Sequence, residues 1–154
     1  MEIKKAEKLA IDLMKKHRLT YDGLWMFKFD NAKRRFGYCH HGLRTISLSK
    51  SLTKLNPEKI VKNTILHEIA HALVGRGHGH NKVWRAKARE IGCNGNRCYG
   101  SEVQQPKGKF NYKCPNCKNI INRIRRYKNN VACYQCCKKF NNNKWSAKFI
   151  LELI

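Results

Sequence analysis

Acidic residues are scarce in this chain: ten Asp and Glu stand against 33 Lys and Arg in 154 residues, a formal balance of +23. So little negative charge points to polyanionic partners (DNA, RNA or an acidic membrane surface), although charge steers and holds a partner without specifying chemistry. Long apolar runs are missing as well. No stretch approaches the roughly eighteen consecutive apolar residues of a membrane span, and the N-terminal run is charged, without a signal peptide's apolar core. These absences exclude a membrane-crossing helix and predict a soluble, intracellular protein with no membrane partner. In a reducing compartment the eight cysteines serve as metal ligands or free thiols rather than disulfides. The length suits one domain, or one small domain with an appended module, able to bury roughly 70% of its unfolded surface.

What is present is organised around His67-Glu68-Ile69-Ala70-His71. Helical residues four apart are rotated by about 400° and share one face a single turn apart. His67 and His71 can therefore aim two imidazoles at one metal ion. Glu68 is turned roughly 100° away, near enough for a base to reach a metal-bound water. This is the H-E-x-x-H arrangement of zinc metalloproteases. Asn56-Pro57-Glu58 predicts the start of the helix, with Asn as cap, Pro in the first position and an acid in the first turn. Ile60, Val61, Ile65, Leu66, Ile69 and Leu73 carry it, largely buried, to Gly75. The glycine-rich turn that follows holds His78 and His80, and one of them can be the third ligand. Three protein ligands plus water is the usual catalytic zinc arrangement. A helix from Asn81 to Ile91 comes next, with Val83, Trp84, Ala88 and Ile91 on its apolar side and Gly92 as its stop.

Before this centre, Glu2 to His17 has apolar residues at helical spacing and reads as an amphipathic helix. Trp25, Phe27 and Phe29 alternate as in a half-buried strand. Asn31-Ala32-Lys33 offers a turn, Arg34 to Cys39 a returning strand, and Thr45 to Leu48 a third. The expectation is a small antiparallel sheet joined by hairpins, with His40 and His41 as solvent-exposed loop histidines.

After the centre, Cys93 and Cys98 lie in a polar loop. They could bind metal or form a strained disulfide, but two thiols alone do not complete a zinc site, so the reading without a special role leads. Gln104 to Lys109 reads as a linker. Beyond it, Cys114-Pro115-Asn116-Cys117 and Cys133-Tyr134-Gln135-Cys136 form two C-x-x-C pairs at zinc-site spacing. Cys137 adjoins the fourth ligand position, although Cys136 has the right spacing. So short a segment buries little apolar surface, and metal binding would supply much of its folding energy, on the order of 10 kcal/mol. Trp145 to Ile154 can add an edge strand or a short helix. After Pro106 there are twelve Lys or Arg and a single acid, Glu152. With Tyr112, Tyr127 and Tyr134 this makes a basic, aromatic surface suited to phosphate contact and base stacking.

The run Thr64-Ile65-Leu66-His67-Glu68-Ile69-Ala70-His71, followed by Gly77-His78-Gly79-His80 and Trp84, resembles the SprT-like family, which includes the Spartan proteases. Trp25 to Leu48 is similar to that family's small sheet. The resemblance implies that the third zinc histidine stands four residues before an aromatic, which selects His80. It also implies a C-terminal zinc ribbon, from which Lys118 and Cys137 depart by replacing glycines common in such knuckles. The implied substrates are DNA-bound proteins, including proteins crosslinked to DNA.

The combined reading is an α+β fold: a small antiparallel sheet packed with helices that carry an HExxH zinc site over residues 1–105, then a basic zinc ribbon over residues 106–154. It calls for two Zn2+ ions. One is catalytic, on His67, His71 and His80 with Glu68 as base; one is structural, on Cys114, Cys117, Cys133 and Cys136. Arg123, Arg125, Arg126, Lys128 and Tyr127 are the candidate DNA contacts. The expected partners are DNA, single-stranded or junction-containing, and DNA-bound protein substrates. Two other classes remain: a peptidase that cuts one specific regulator, and a non-proteolytic nucleic-acid-binding zinc protein. An intact Glu68 argues against the last, because a purely structural metal site needs no base.

Overall fold

Successive residues of an α-helix step by 100°, and in the helix Glu58–Val74 this sorts the side chains into three faces. In the computed structural model, which describes residues 1–20 and 23–154, this is the third helix, α3. Val61, Ile65 and Ile69 are fully buried on its first face. They pack against Ala6, Ala10 and Met14 of α1 (Ile3–Lys16), Leu52 of α2 (Lys50–Leu55) and the sheet residues Ile46 and Leu48. Leu66 and Ala70 form a second face against Trp84 and Ala88 of α4 (Lys82–Glu90). His67 and His71 fall between the α4 face and Glu68, and Glu68 falls between the histidines and the sheet. Packing on both sides thus holds the polar stripe rigidly in register.

The sheet has three strands: β1 (Met26–Asp30), β2 (Gly37–His40) and β3 (Thr45–Ser49). Their order is β1-β3-β2, and this corrects the expected succession of antiparallel hairpins. β2 runs antiparallel to β3, but β1 runs parallel to it, with Met26 opposite Thr45 and Asp30 opposite Ser49. The physical reason lies in β3 and Asp30. All five residues of β3 are buried, so it takes the central place. The Asp30 carboxylate accepts from the Ala32 amide at 2.9 Å, Arg35 at 2.7 Å and Ser47 at 2.8 Å. Asn31-Ala32-Lys33 is therefore no hairpin turn. It bends the chain past β3 to its far side, leaving β2 as the edge strand beside α3.

Two local expectations also change. Asn56 does not cap α3, whose cap position is Pro57. Asn56 is buried, and its amide donates to the carbonyls of Leu52 and Gln104 while its oxygen accepts from the Gln104 amide. A buried amide needs all of these partners, and here they tie the α2–α3 junction to the end of the unit. α2, too short for periodicity to reveal, starts where Ser49 Oγ accepts from the Leu52 amide. The anticipated ends of α3 and α4 coincide with Gly75 and Gly92, both with positive φ.

The chain divides into two units, Met1–Pro106 and Lys107–Ile154. In the second, β4 (Phe110–Lys113) lies between β5 (Ile120–Arg123) and β6 (Glu152–Leu153), all antiparallel. Helix α5 (Tyr134–Phe140) and a 3-10 turn at Ala147–Phe149 complete it, so the C-terminal segment supplies both a turn and a strand. Its small core joins Tyr112, Phe149 and Leu151 to Cys114, Cys133, Cys136 and Cys137. Tyr112 is thus a core residue and not part of a surface. Among the described residues no helix is long and apolar enough to cross a membrane.

Candidate metal centre

One turn of α3 separates His67 from His71, and the turn after Gly75 returns His80 to them. Asn81 begins α4 by accepting from the amides of Val83 and Trp84, which fixes His80 at the mouth of that helix. The three Nε2 atoms then lie 3.0, 3.1 and 3.3 Å from one another. A ring nitrogen is either a donor or an acceptor, so among three in mutual contact at least one pair must be alike and repel. A cation held by all three relieves every contact at once. Zinc at its usual 2.0–2.1 Å from nitrogen needs tetrahedral edges of roughly 3.3 Å, and the trio has that size. Burial, with the neighbouring charges of His71 and His80, pushes His67 down to about 3; burial and His80 push His71 down to about 4. Both therefore stay in the neutral form that binds metal.

The Glu68 side chain turns from the histidines toward β2 and is only 7% exposed. Burial pushes its carboxyl up to about 8, against the opposing pull of Arg35 and the Cys39 amide. It fits there because position 37 is glycine. A Cβ on Gly37 would lie 2.5 Å from Glu68 Oε1, 2.8 Å from Cγ and 2.9 Å from Cδ.

In the second unit the sulfurs of Cys114, Cys117, Cys133 and Cys136 all lie within 4.8 Å of one another, and the pairs Cys114–Cys136 and Cys117–Cys133 are 3.7 Å apart. A zinc–thiolate tetrahedron with 2.3 Å bonds has edges of roughly 3.8 Å, so the donor set fits the ion. Cys137 is buried beside them but outside the cluster. Burial pushes the Cys133 thiol up to about 12. Burial also opposes ionisation of Cys114, but the amides of Cys117 and Asn116, together with the thiols of Cys117 and Cys136, outweigh it and bring that thiol to about 7. One thiolate forms readily, and the others need a cation to balance them.

Residues 7–105 match the sequence model of the SprT-like family. The chain belongs to the SprT-like family. It is also 28% identical over 124 residues to "Protein SprT" of Vibrio parahaemolyticus serotype O3:K6 (strain RIMD 2210633), covering 73% of this chain and 75% of that one.

Within this SprT-like domain, Trp84 does more than fill the α4 face. Its ring lies 4.6 Å from that of His67, 5.1 Å from His71 and 4.5 Å from His80, so one buried indole braces all three imidazoles. Sequence reasoning placed it on the apolar side of its helix and used it as a spacing marker, but did not find its contact with the imidazoles, and did not find Gly37 at all. The spacing His80-x-x-x-Trp84 carried the first signal; nothing local marked the second. His78 stands outside the trio, its Nδ1 3.4 Å from the side-chain Nδ2 of Asn81. His40 and His41 are half-buried rather than exposed. His40 Nδ1 accepts from the Leu43 amide across the β2–β3 turn, and His41 packs edge-on to Trp25. Cys93 is buried and Cys98 exposed, and neither joins a metal-binding group among the described residues.

The basic residues of the second unit divide. The Arg123 guanidinium lies 4.6 Å over the Tyr127 ring, and that of Arg126 lies 5.2 Å over Phe110. Tyr127 in turn packs on Tyr112. Arg125, Arg126 and Lys128 are exposed, and Arg123 is half-buried.

Proposed function

We propose that the chain is a zinc-dependent endopeptidase that acts on DNA-associated proteins, DNA–protein crosslinks included, with the basic second unit holding the DNA. The observation that carries the peptidase reading is the convergence of three imidazoles beside a buried carboxyl, on a chain of the SprT-like family. His67, His71 and His80 would hold the zinc. When bound, zinc supplies a Lewis acid that polarises a peptide carbonyl and acidifies water. Glu68 takes a proton from the attacking water at its carboxylate and returns it to the departing amine. Burial raises this carboxyl's affinity for a proton, and a cation held by the neighbouring histidines would draw it back toward the ionised form that accepts one. Trp84 keeps the imidazoles oriented, and Cys114, Cys117, Cys133 and Cys136 would hold a second, structural zinc.

Gly37 gives this reading a test remote from the metal. Gly37→Ala is expected to retain both metals and the fold but to push Glu68 out of its slot. A misplacement of about 1 Å costs on the order of 100-fold in rate, so kcat should fall by that order with KM little changed. Steady-state kinetics beside metal analysis checks it. Unchanged kcat would mean that Glu68 does not need that slot.

For DNA, the support is the balance of twelve Lys or Arg against one acid after Pro106, together with exposed Arg125 and Lys128. Replacing Arg123, Arg125, Arg126 and Lys128 with Gln should weaken DNA binding and flatten its salt dependence, by about 0.7 per contact on single strands or 0.9 on duplex. Cleavage of a DNA-binding protein should be accelerated by single-stranded DNA in the parent chain and lose that acceleration in the variant. Cleavage indifferent to DNA in both would favour a peptidase directed at one protein partner, and an unchanged salt slope would place the DNA contact elsewhere.

A further inference from the structure

A cleft of about 1130 Å³ opens at His67 and Glu68 and runs along α3 toward its N-terminal end. One wall is the segment before β2, at Arg34 and Phe36; the other is the loop of residues 94–103. That loop is fastened across the cleft. The Tyr99 hydroxyl donates to the Arg34 carbonyl at 2.5 Å, the Asn94 amide donates to Asn63 Oδ1 at 2.9 Å, and Val103 is buried in the core. The cleft is therefore a built feature of the fold and not a gap beside a free strand.

Its lining has two characters. Ile60, Leu66, Phe36 and Val103 make an apolar floor. Arg34, Lys59, Lys62 and Arg97 stand exposed on the rim, with no ion-pair partner among the described residues. Besides Glu68, the acid in the lining is Glu102, whose Oε1 accepts from the Gly100 amide of its own loop. Two acids thus face four unpaired cations among the described residues, and low-dielectric walls concentrate the positive excess.

We propose that this cleft is a substrate subsite for peptide segments that alternate acidic and apolar side chains. Carboxylates pair with Arg34, Lys59, Lys62 and Arg97, while the apolar side chains occupy the floor, and the segment continues to the carbonyl beside Glu68. The inference rests on the peptidase reading of the metal centre. A nucleic-acid strand shares the charge but not the floor: single strands are held by rings open to stacking, whereas the floor's one ring, Phe36, is buried, edge to face with Tyr99 at 6.4 Å.

The test uses the full, zinc-loaded chain carrying Glu68→Gln, so that bound peptides are not consumed. Fluorescent Glu–Leu, Gln–Leu and Lys–Leu repeat peptides and a dT oligonucleotide are titrated by anisotropy. The Glu–Leu peptide should bind about tenfold or more tightly than Gln–Leu, and Lys59→Glu with Lys62→Glu should remove that preference, the scale of two surface ion pairs reversed. Lys139→Glu with Lys144→Glu, an equal change of charge in the other unit, should leave peptide binding within about twofold. Equal loss in both pairs would reduce the effect to net charge and overturn the proposal. So would equal affinity for Glu–Leu and Gln–Leu, or oligonucleotide binding that falls as far as peptide binding when Lys59 and Lys62 are reversed. Cleavage of the same peptides by the parent chain is scored separately: a peptide that seats in the cleft but is never cut contradicts the peptidase reading and leaves the cleft assignment standing.

Discussion

Glu68→Gln should abolish proteolysis while leaving the fold and both metals in place. The substitution keeps the size and shape of a side chain packed against Gly37 and removes only its ability to take a proton. A positioned general base contributes about 10²–10⁴ in rate, and kcat should fall by that factor. The same variant has a second signature in the metal-free protein. Burial raises the Glu68 carboxyl from its ordinary 4.5 to about 8. A group whose folded pKa is raised contributes stability that is complete below the unfolded value and is lost as pH rises through the folded one. Between about pH 4.5 and 8 the metal-free parent should therefore lose stability from this group, and Glu68→Gln should lack that contribution. Denaturant unfolding at pH 5 and pH 8 measures it. Substantial turnover by the variant would rule out Glu68 as the proton carrier.

His80→Ala should release the metal of the histidine site, with a loss of activity well beyond the roughly 10–100-fold caused by changing residues that merely support ligands. Its Nε2 is 3.0 Å from that of His67 and 3.1 Å from that of His71, so removing it opens the trio. His78→Ala should leave the metal bound, since that ring stands outside the trio and, among the described residues, has its hydrogen-bond contact with Asn81. Metal analysis of the two variants side by side decides between them. The reverse ranking would transfer the third-ligand role to His78 and require the glycine turn to be rebuilt.

Local pattern made some of this legible and tertiary contact hid the rest. The helix through His67 and His71 was readable because 100° steps and a dense apolar run fix both its face and its burial. The four ribbon cysteines were readable because short-range spacing alone brings their pairs together. The sheet order was not. Its parallel β1–β3 pairing depends on Asp30 meeting Ser47, 17 residues away, which no hairpin pattern encodes. Asn56 looked like a helix cap because capping is the common use of Asn before a helix; its true partner, Gln104, is 48 residues away. Tyr112 counted as a surface ring from composition, yet its position in the middle strand β4 buries it. Gly37 carried no local signal, because its role is a space that exists only when β2 lies on α3.

The central claim is that the histidine trio becomes a peptide-cutting centre when it holds zinc. The most direct measurement is proteolysis of a DNA-binding protein by the full chain, stripped of metal and then titrated with zinc. The thiolate cluster fills alongside the trio, so metal content is followed with the activity. Cleavage should be absent from the stripped chain, appear as the histidine site fills, and saturate at two zinc ions per chain. Cleavage that persists in the metal-free chain, or a chain carrying two zinc ions that cuts nothing, would contradict the account.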